Sequence, residues 1–502
     1  MKKILILLFV LLSINTSFAQ TKTGTNLKWS SAIRGINPRL YGVTEDYFVI
    51  CDEYADMSGN RTDVYVVSID NLKLIKHIYN LRPKIEGKAY FSEGGVVFQD
   101  KLIIEVESDK EYIQIYSLPD LKLEQTIMIN NNEPKITVSE NKYATTSDNW
   151  MIERARIKNR INLKDLVISE NKEFLFILKK DLRIYRYSVI DSELEHESGS
   201  FNFKNIDDPK TKRLGYLVTN NGKPYLLYKD GKALKKPLFI ADFKNQKTYN
   251  IDFEAIFINH KMIEHNSLIE IHGICYFKSL FQFYKITFNP KTNEFSEIIL
   301  TSISIPKTLE YTDAKTVKKL NKKIDKLPLL KFSLDGIKYL DDGSYYIYGE
   351  YYSIIAYYGD KNYEFQTTNE IYVANISKSG NLNGLKIVPK IQEGKSRVDY
   401  YPAAYVSYIP YLSDNKMHFL FADSPKNNDT DLHEGVKRTK GKSPQTTICT
   451  VDVQGNVTRN IWINNDTKKV FPTPQLSIDL GGKYIIGTHI GRHNNKFAIY
   501  HY

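Results

Sequence analysis

Residues 100–129, DKLIIEVESDKEYIQIYSLPDLKLEQTIMI, decide the fold. Residues 102–107 and 112–117 alternate or cluster Leu, Ile, Val and Tyr as half-buried strands do. A polar break, Ser108-Asp109-Lys110, separates them, Pro119-Asp120 makes a turn, and residues 122–129 return as a third strand.

The same grammar recurs along the chain. DYFVICDEY and TDVYVVSIDNLKLIKHI turn at Asp70-Asn71. EFLFILKKDLRIYRYSVIDSELEHESG turns near Asp191, and KPYLLYKDGKALKKPLFIADFKNQKTYNIDF near Lys244-Asn245. Later units turn at Asn289-Pro290, Ser379-Gly380 and Gln454-Gly455, and residues 483–502, KYIIGTHIGRHNNKFAIYHY, form an unfinished last one. Successive turns lie roughly 50 to 90 residues apart. Several strands per repeat at this spacing are the mark of a β-propeller, in which small sheets stack radially because none can bury both faces alone. The last unit lacks an outer strand. Residues 27–33, LKWSSAI, supply one beside residues 497–502 and close the ring. The count predicts an all-β propeller of eight blades, with seven as the alternative. Two β-domains parting near Asn321 are the other arrangement.

Composition agrees. Of 502 residues, 42% are apolar and 25% charged, ordinary for a globular chain. Three cysteines exclude a disulfide scaffold and a cysteine zinc ribbon. Cys51, Cys275 and Cys449 sit in apolar strand-like runs and read as buried thiols, with one disulfide as the alternative.

Residues 1–19 read as a secretory signal peptide: Lys2-Lys3, an apolar run from Ile4 to Leu12, then Ser17 and Ala19 at small-x-small spacing. Cleavage is expected after Ala19, leaving residues 20–502 as one propeller domain. No apolar stretch is long enough to span a bilayer. The expected location is the periplasm, the outer membrane or outside the cell. The net charge of +11 is spread along the chain, with no basic block or aromatic RNA-binding signature, so no nucleic-acid partner is expected. One segment breaks the strand pattern. Val317, Leu320, Ile324 and Leu327 form a helical stripe ringed by lysines, predicting an inserted helix near 312–327.

These features resemble exported bacterial β-propeller-like proteins. The resemblance covers nearly the whole chain and rests on architecture and the leader. WD dipeptides, kelch double glycines and Asp-boxes are missing, so it assigns no site residue.

Catalytic signatures are missing too: no GxSxG, HExxH, P-loop or GxGxxG. His489, His493 and His501 cluster in sequence but alternate between strand and turn, as surface histidines do; His260, His265 and His272 share no face. Asp429, Asp431, His433 and Glu434 offer oxygen ligands without calcium-loop spacing. No cofactor or metal is expected. The tyrosines are more informative. Residues 345–363 and 400–411 carry adjacent pairs, Tyr351-Tyr352, Tyr357-Tyr358 and Tyr400-Tyr401, of which a strand can bury only one partner each. Tyr352, Tyr358 and Tyr401 are therefore the candidate binding residues, on loops at 351–364 and 399–411. The reading that follows is a non-enzymatic, exported binding or scaffold protein of the cell envelope whose partner is a protein or glycan. The alternative is a propeller hydrolase or lyase acting on a glycan or peptide.

Overall fold

In the computed structural model the described residues run from Ser30 to His501, apart from 32, 35–37, 57–58, 108–110, 131–165, 182–183, 203–211, 230–236, 279, 297, 304–332, 358–362, 398–406, 428–438, 441–444, 464–472 and 491–493. They form eight antiparallel sheets arranged as a propeller. Blade 1 consists of Pro38–Val43, Tyr47–Asp56, Gly59–Ser68 and Leu74–Ile78, in that order from the inner strand outward. Blades 2 to 4 repeat the meander over residues 91–130, 166–202 and 212–251. Blade 5 covers 256–302, with its outer strand broken into Glu294–Phe295 and Ile299–Ser302. Blade 6 starts at Gly336–Tyr339 and blade 7 at Ile409–Ser413. Blade 8 is Ile478–Asp479, Lys483–Ile490 and Asn494–His501, finished by Ile33–Arg34.

Among the described residues the closing strand is Ile33–Arg34, which sits nearer the start of its partner than the sequence suggested. Ile33 pairs with Asn495 and Arg34 with Asn494. Ser30 N donates to Phe497 O at 2.8 Å, and Phe497 N donates to Ser30 Oγ at 3.0 Å. Ile33 joins Phe48, Val67, Ile485 and Phe497 in one apolar cluster that bridges blades 8 and 1. Equivalent clusters fill the other seams: Tyr346, Phe419 and Cys449 between blades 6 and 7, and Phe283, Ile347 and Tyr372 between blades 5 and 6. The core thus lies between sheets. A middle strand must be apolar on both faces, and Pro224–Lys229 is buried at all six positions.

The seven turns read from the sequence are the connections between third and fourth strands of blades 1 to 7. Each contains a residue in the left-handed region: Leu72, Leu121, Leu194, Gln246, Asn293, Gly380 and Gly455. Asn and Gly tolerate that conformation. Leu72 and Leu121 are held there by burial and by N–H bonds to the carbonyls of Ser68 and Ser117. All three cysteines are buried and free. Burial pushes the Cys275 thiol up to about 12, so it is not a nucleophile at neutral pH. The residues of the expected helix, 312–327, lie outside the described residues; the described residues hold two single 3-10 turns, Pro425–Asn427 and Pro474–Leu476, and no helix able to cross a membrane.

Candidate binding face

Antiparallel meanders give the ring two unlike faces. Connections from first to second and from third to fourth strands share one face, where every connection between described strands spans two to five residues. The opposite face carries the connections from second to third strands and from blade to blade. These include 131–165, 303–335, 389–408 and 424–444. The first is here called the turn face and the second the loop face.

Blade 6 stands out on the loop face. Its two middle strands, Tyr345–Tyr357 and Tyr363–Ile376, have 13 and 14 residues, against five to ten in the other blades. Their far halves pair with each other from Tyr352–Thr368 to Tyr357–Tyr363. At about 3.3 Å per residue the hairpin overhangs the ring as a crest of roughly 15 Å. Gln392–Arg397 adds to its outer side against residues 363–368, and Thr439–Lys440, from the second-to-third connection of blade 7, adds in parallel to Gln392 and Glu393.

A buried polar layer supports the crest where it leaves the ring. Lys390, fully buried, donates from Nζ to Glu350 Oε2 at 2.8 Å and to Gln392 Oε1 at 3.1 Å. Ser407 Oγ donates to Glu350 Oε1 at 2.8 Å, Ser407 N to Gln392 Oε1 at 2.7 Å, and Gln392 Nε2 to Ala422 O at 2.9 Å. The layer therefore ties blade 6, its exit segment and blade 7 together. Burial lowers the Lys390 ammonium below the usual lysine range, and the Glu350 carboxylate opposes that. Gly349 is required here: a Cβ would stand 1.8 Å from Ser333 O. Beside the layer, Asp423 opens the blade 7 connection. It accepts from Ser424 N and Asn427 Nδ2, both at 2.8 Å, and pairs with Arg459.

Tyr352 lies on the crest strand, which corrects its assignment to a loop: residues 351–357 and 363–364 are strand. Tyr351 beside it is buried, as one member of the pair must be. Tyr358 and Tyr401 lie outside the described residues, as do Asp429, Asp431, His433, Glu434 and His493. Tyr408 and Tyr411 belong to the core. His489 and His501 fall at opposite ends of one hairpin, in the pairs His489–Asn495 and Lys483–His501. No group of three potential metal ligands occurs among the described residues.

A second polar cluster, missed in the sequence, lies between blades 5 and 6 toward the turn face. Glu270 and His272 are two apart on the middle strand Leu268–Phe277 and share one side of the sheet. His272 Nε2 is 2.8 Å from Glu270 Oε2, Lys285 Nζ is 2.6 Å from Glu270 Oε1, and Tyr339 Oη donates to Glu270 Oε2. The His265 ring stacks on Tyr339 at 3.7 Å between centroids. Burial alone would raise the Glu270 carboxyl, but the bonds from His272, Lys285 and Tyr339 bring it down to about 2. Burial and Glu270 push the Tyr339 phenol far up. Burial holds His272 below the usual histidine range, and its Nδ1 is buried without a hydrogen-bond partner among the described residues. These shifts favour an ionised Glu270 and a protonated Tyr339 phenol, and His272 is fully buried. The arrangement clamps two blades and is unsuited to acid–base chemistry.

The clamp has a pH signature. A proton on His272 would bury a second N–H with no acceptor, so the unfolded chain binds that proton first. The contribution of His272 is present above the unfolded histidine value of about 6.5 and is lost as pH falls below it, by up to about 1.4 kcal/mol per pH unit. Glu270 acts in a separate window, between its ordinary value and about 2. Between pH 7.5 and 5 the melting temperature of the native chain should fall more steeply than that of a His272→Asn variant. Parallel curves would show that His272 is not buried neutral.

No family model matches the chain. No curated protein matches it in sequence. Among solved structures it is similar to the Dos1 propeller, at 8% identity and a TM-score of 0.46 over 94% of this chain and 95% of that one. It is also similar to Sqt1 of Saccharomyces cerevisiae, at 8% identity and 0.42 over 95% and 99%. A third likeness is to the polysaccharide lyase Uly1, at 10% identity and 0.36 over 84% and 94%. Likenesses of this depth say nothing about activity.

Proposed function

We propose that the chain is an exported, non-enzymatic binding or scaffold protein of the cell envelope, and that it recognises a protein or glycan through the crest of blade 6 on the loop face. The observation that carries this reading is the asymmetry of the ring. Short turns close one face, while a single blade extends far past the other and recruits strands from two further segments. Long structured connections on a rigid frame are where recognition concentrates. The leader-like residues 1–19 support export, and the tyrosine pairs supply rigid, amphipathic contact area.

Capture from an envelope fraction tests this. The full mature chain should retain a partner that the Tyr352→Ala/Tyr358→Ala/Tyr401→Ala variant loses, because removing interface aromatics costs about 2 kcal/mol or more each at anchor positions. The variant should melt close to the parent. Undiminished capture by a folded variant would place recognition elsewhere, and an unfolded variant would show these tyrosines to be core.

A further inference from the structure

Five large apolar side chains are prominently exposed among the described residues, and three of them, Leu74, Ile75 and Tyr79, fall within six consecutive positions. Leu74 and Ile75, each 47% exposed, lie on the outer strand of blade 1, Leu74–Ile78; Tyr79, at 61%, follows it directly. The exit from this strand is held in place: Asn80 N donates to Asp63 Oδ1 at 2.7 Å and Leu81 N to Thr62 O at 2.7 Å. A small hairpin follows, Lys84–Ile85 paired with Lys88–Ala89, and Gln114 Nε2 fixes it to blade 2 through Lys84 O at 2.8 Å. Lys73 and Lys76 are exposed beside the apolar trio, and Lys84 and Lys88 are exposed on the hairpin. Over residues 73–90 these four lysines and Arg82 face one acid, Glu86, a balance of five minus one, or +4.

Lysines on an edge strand ordinarily keep other strands away. That explains Lys73 and Lys76 but not Leu74 and Ile75, which make an edge adhesive. A second copy of the chain fits poorly, because pairing two such edges would bring two rims of +4 together. A nucleic acid would use the charges and leave the aliphatic side chains in water. A surface that is anionic on top and apolar just beneath satisfies both sets. Aliphatic side chains enter it, tyrosine sits at headgroup level and lysines reach back to the phosphates.

We propose that the blade 1 rim is a peripheral docking surface for an anionic lipid bilayer. It would hold the propeller on a membrane without a spanning segment and leave the crest of blade 6 free. The inference is independent of the binding role assigned to the crest.

The test is co-sedimentation of the full chain with phosphatidylcholine vesicles, with and without phosphatidylglycerol. The native protein should partition at least about tenfold better onto the anionic vesicles, with the advantage shrinking as salt is raised. Lys73→Gln/Lys76→Gln/Lys84→Gln/Lys88→Gln should lose roughly a hundredfold, since each basic contact near such a surface contributes severalfold. Leu74→Ser/Ile75→Ser/Tyr79→Ser should lose about tenfold on the same vesicles. Equal partitioning of the native protein onto both vesicle types would overturn the proposal. So would native-like binding by either folded variant, or capture of an acidic protein by this rim with no binding to vesicles. Should the apolar variant misfold, the charge variant decides alone.

Discussion

Replacing Lys390 by Met will destabilise the ring by roughly 3–5 kcal/mol, the usual result of removing one partner from a buried ion pair. The geometry explains the size. Glu350 is almost wholly buried, and Lys390 is the cation that compensates it at 2.8 Å. Without the ammonium, Glu350 keeps the Ser407 hydroxyl as its side-chain partner among the described residues and must either carry an uncompensated charge or take up a proton. The double variant Lys390→Met/Glu350→Leu removes both charges and should recover most of the loss, because a packed apolar pair can equal a buried ionic one. Urea midpoints of the native, single and double variants measure the difference. A single variant no less stable than the double would mean that water or another group reaches Glu350, and that the layer beneath the crest is open. The same experiment bears on function, since a loosened layer would free Gln392–Arg397, which pairs with the crest.

The fold was legible because its repeat is written locally. Strand, turn and return occupy about 30 residues, and turn chemistry marks the break at Asn289-Pro290, Ser379-Gly380 and Gln454-Gly455. The blade 3 turn is legible only near Asp191, because Asp191-Ser192-Glu193-Leu194-Glu195 contains no Gly, Pro or Asn to mark its position, whereas the blade 1 and 2 turns carry Asp70-Asn71 and Pro119-Asp120. The overhang of blade 6 was partly legible. Residues 345–357 run without a turn residue after Gly349, yet so long a tyrosine-rich run read as strand plus loop because it exceeds ordinary strand length. The polar clusters were not legible from spacing alone. Glu350 and Lys390 are 40 residues apart, and Glu270 meets Tyr339 across 69. Contacts between neighbouring sheets leave no periodicity in the chain. The one local trace was Glu270 and His272 on the same side of a middle strand that is otherwise apolar, where a polar pair needs partners from elsewhere.

Ring closure is the central claim of the fold, and the strand that finishes blade 8 is its most specific element. Ile33, buried in one cluster with Phe48 and Phe497, contributes about 1.5–3 kcal/mol on that count. The hydrogen bonds of Ser30, Ile33 and Arg34 to residues 494–497 add roughly 0.5–1.5 kcal/mol each. Deleting residues 21–34 removes all of these, exposes the edge of Asn494–His501 and leaves blade 8 with three strands. The most direct measurement is the thermal unfolding midpoint of the chain with and without this segment. The closed ring predicts a fall of roughly 5 °C or more in the truncated protein. Coincident transitions would contradict closure by this strand.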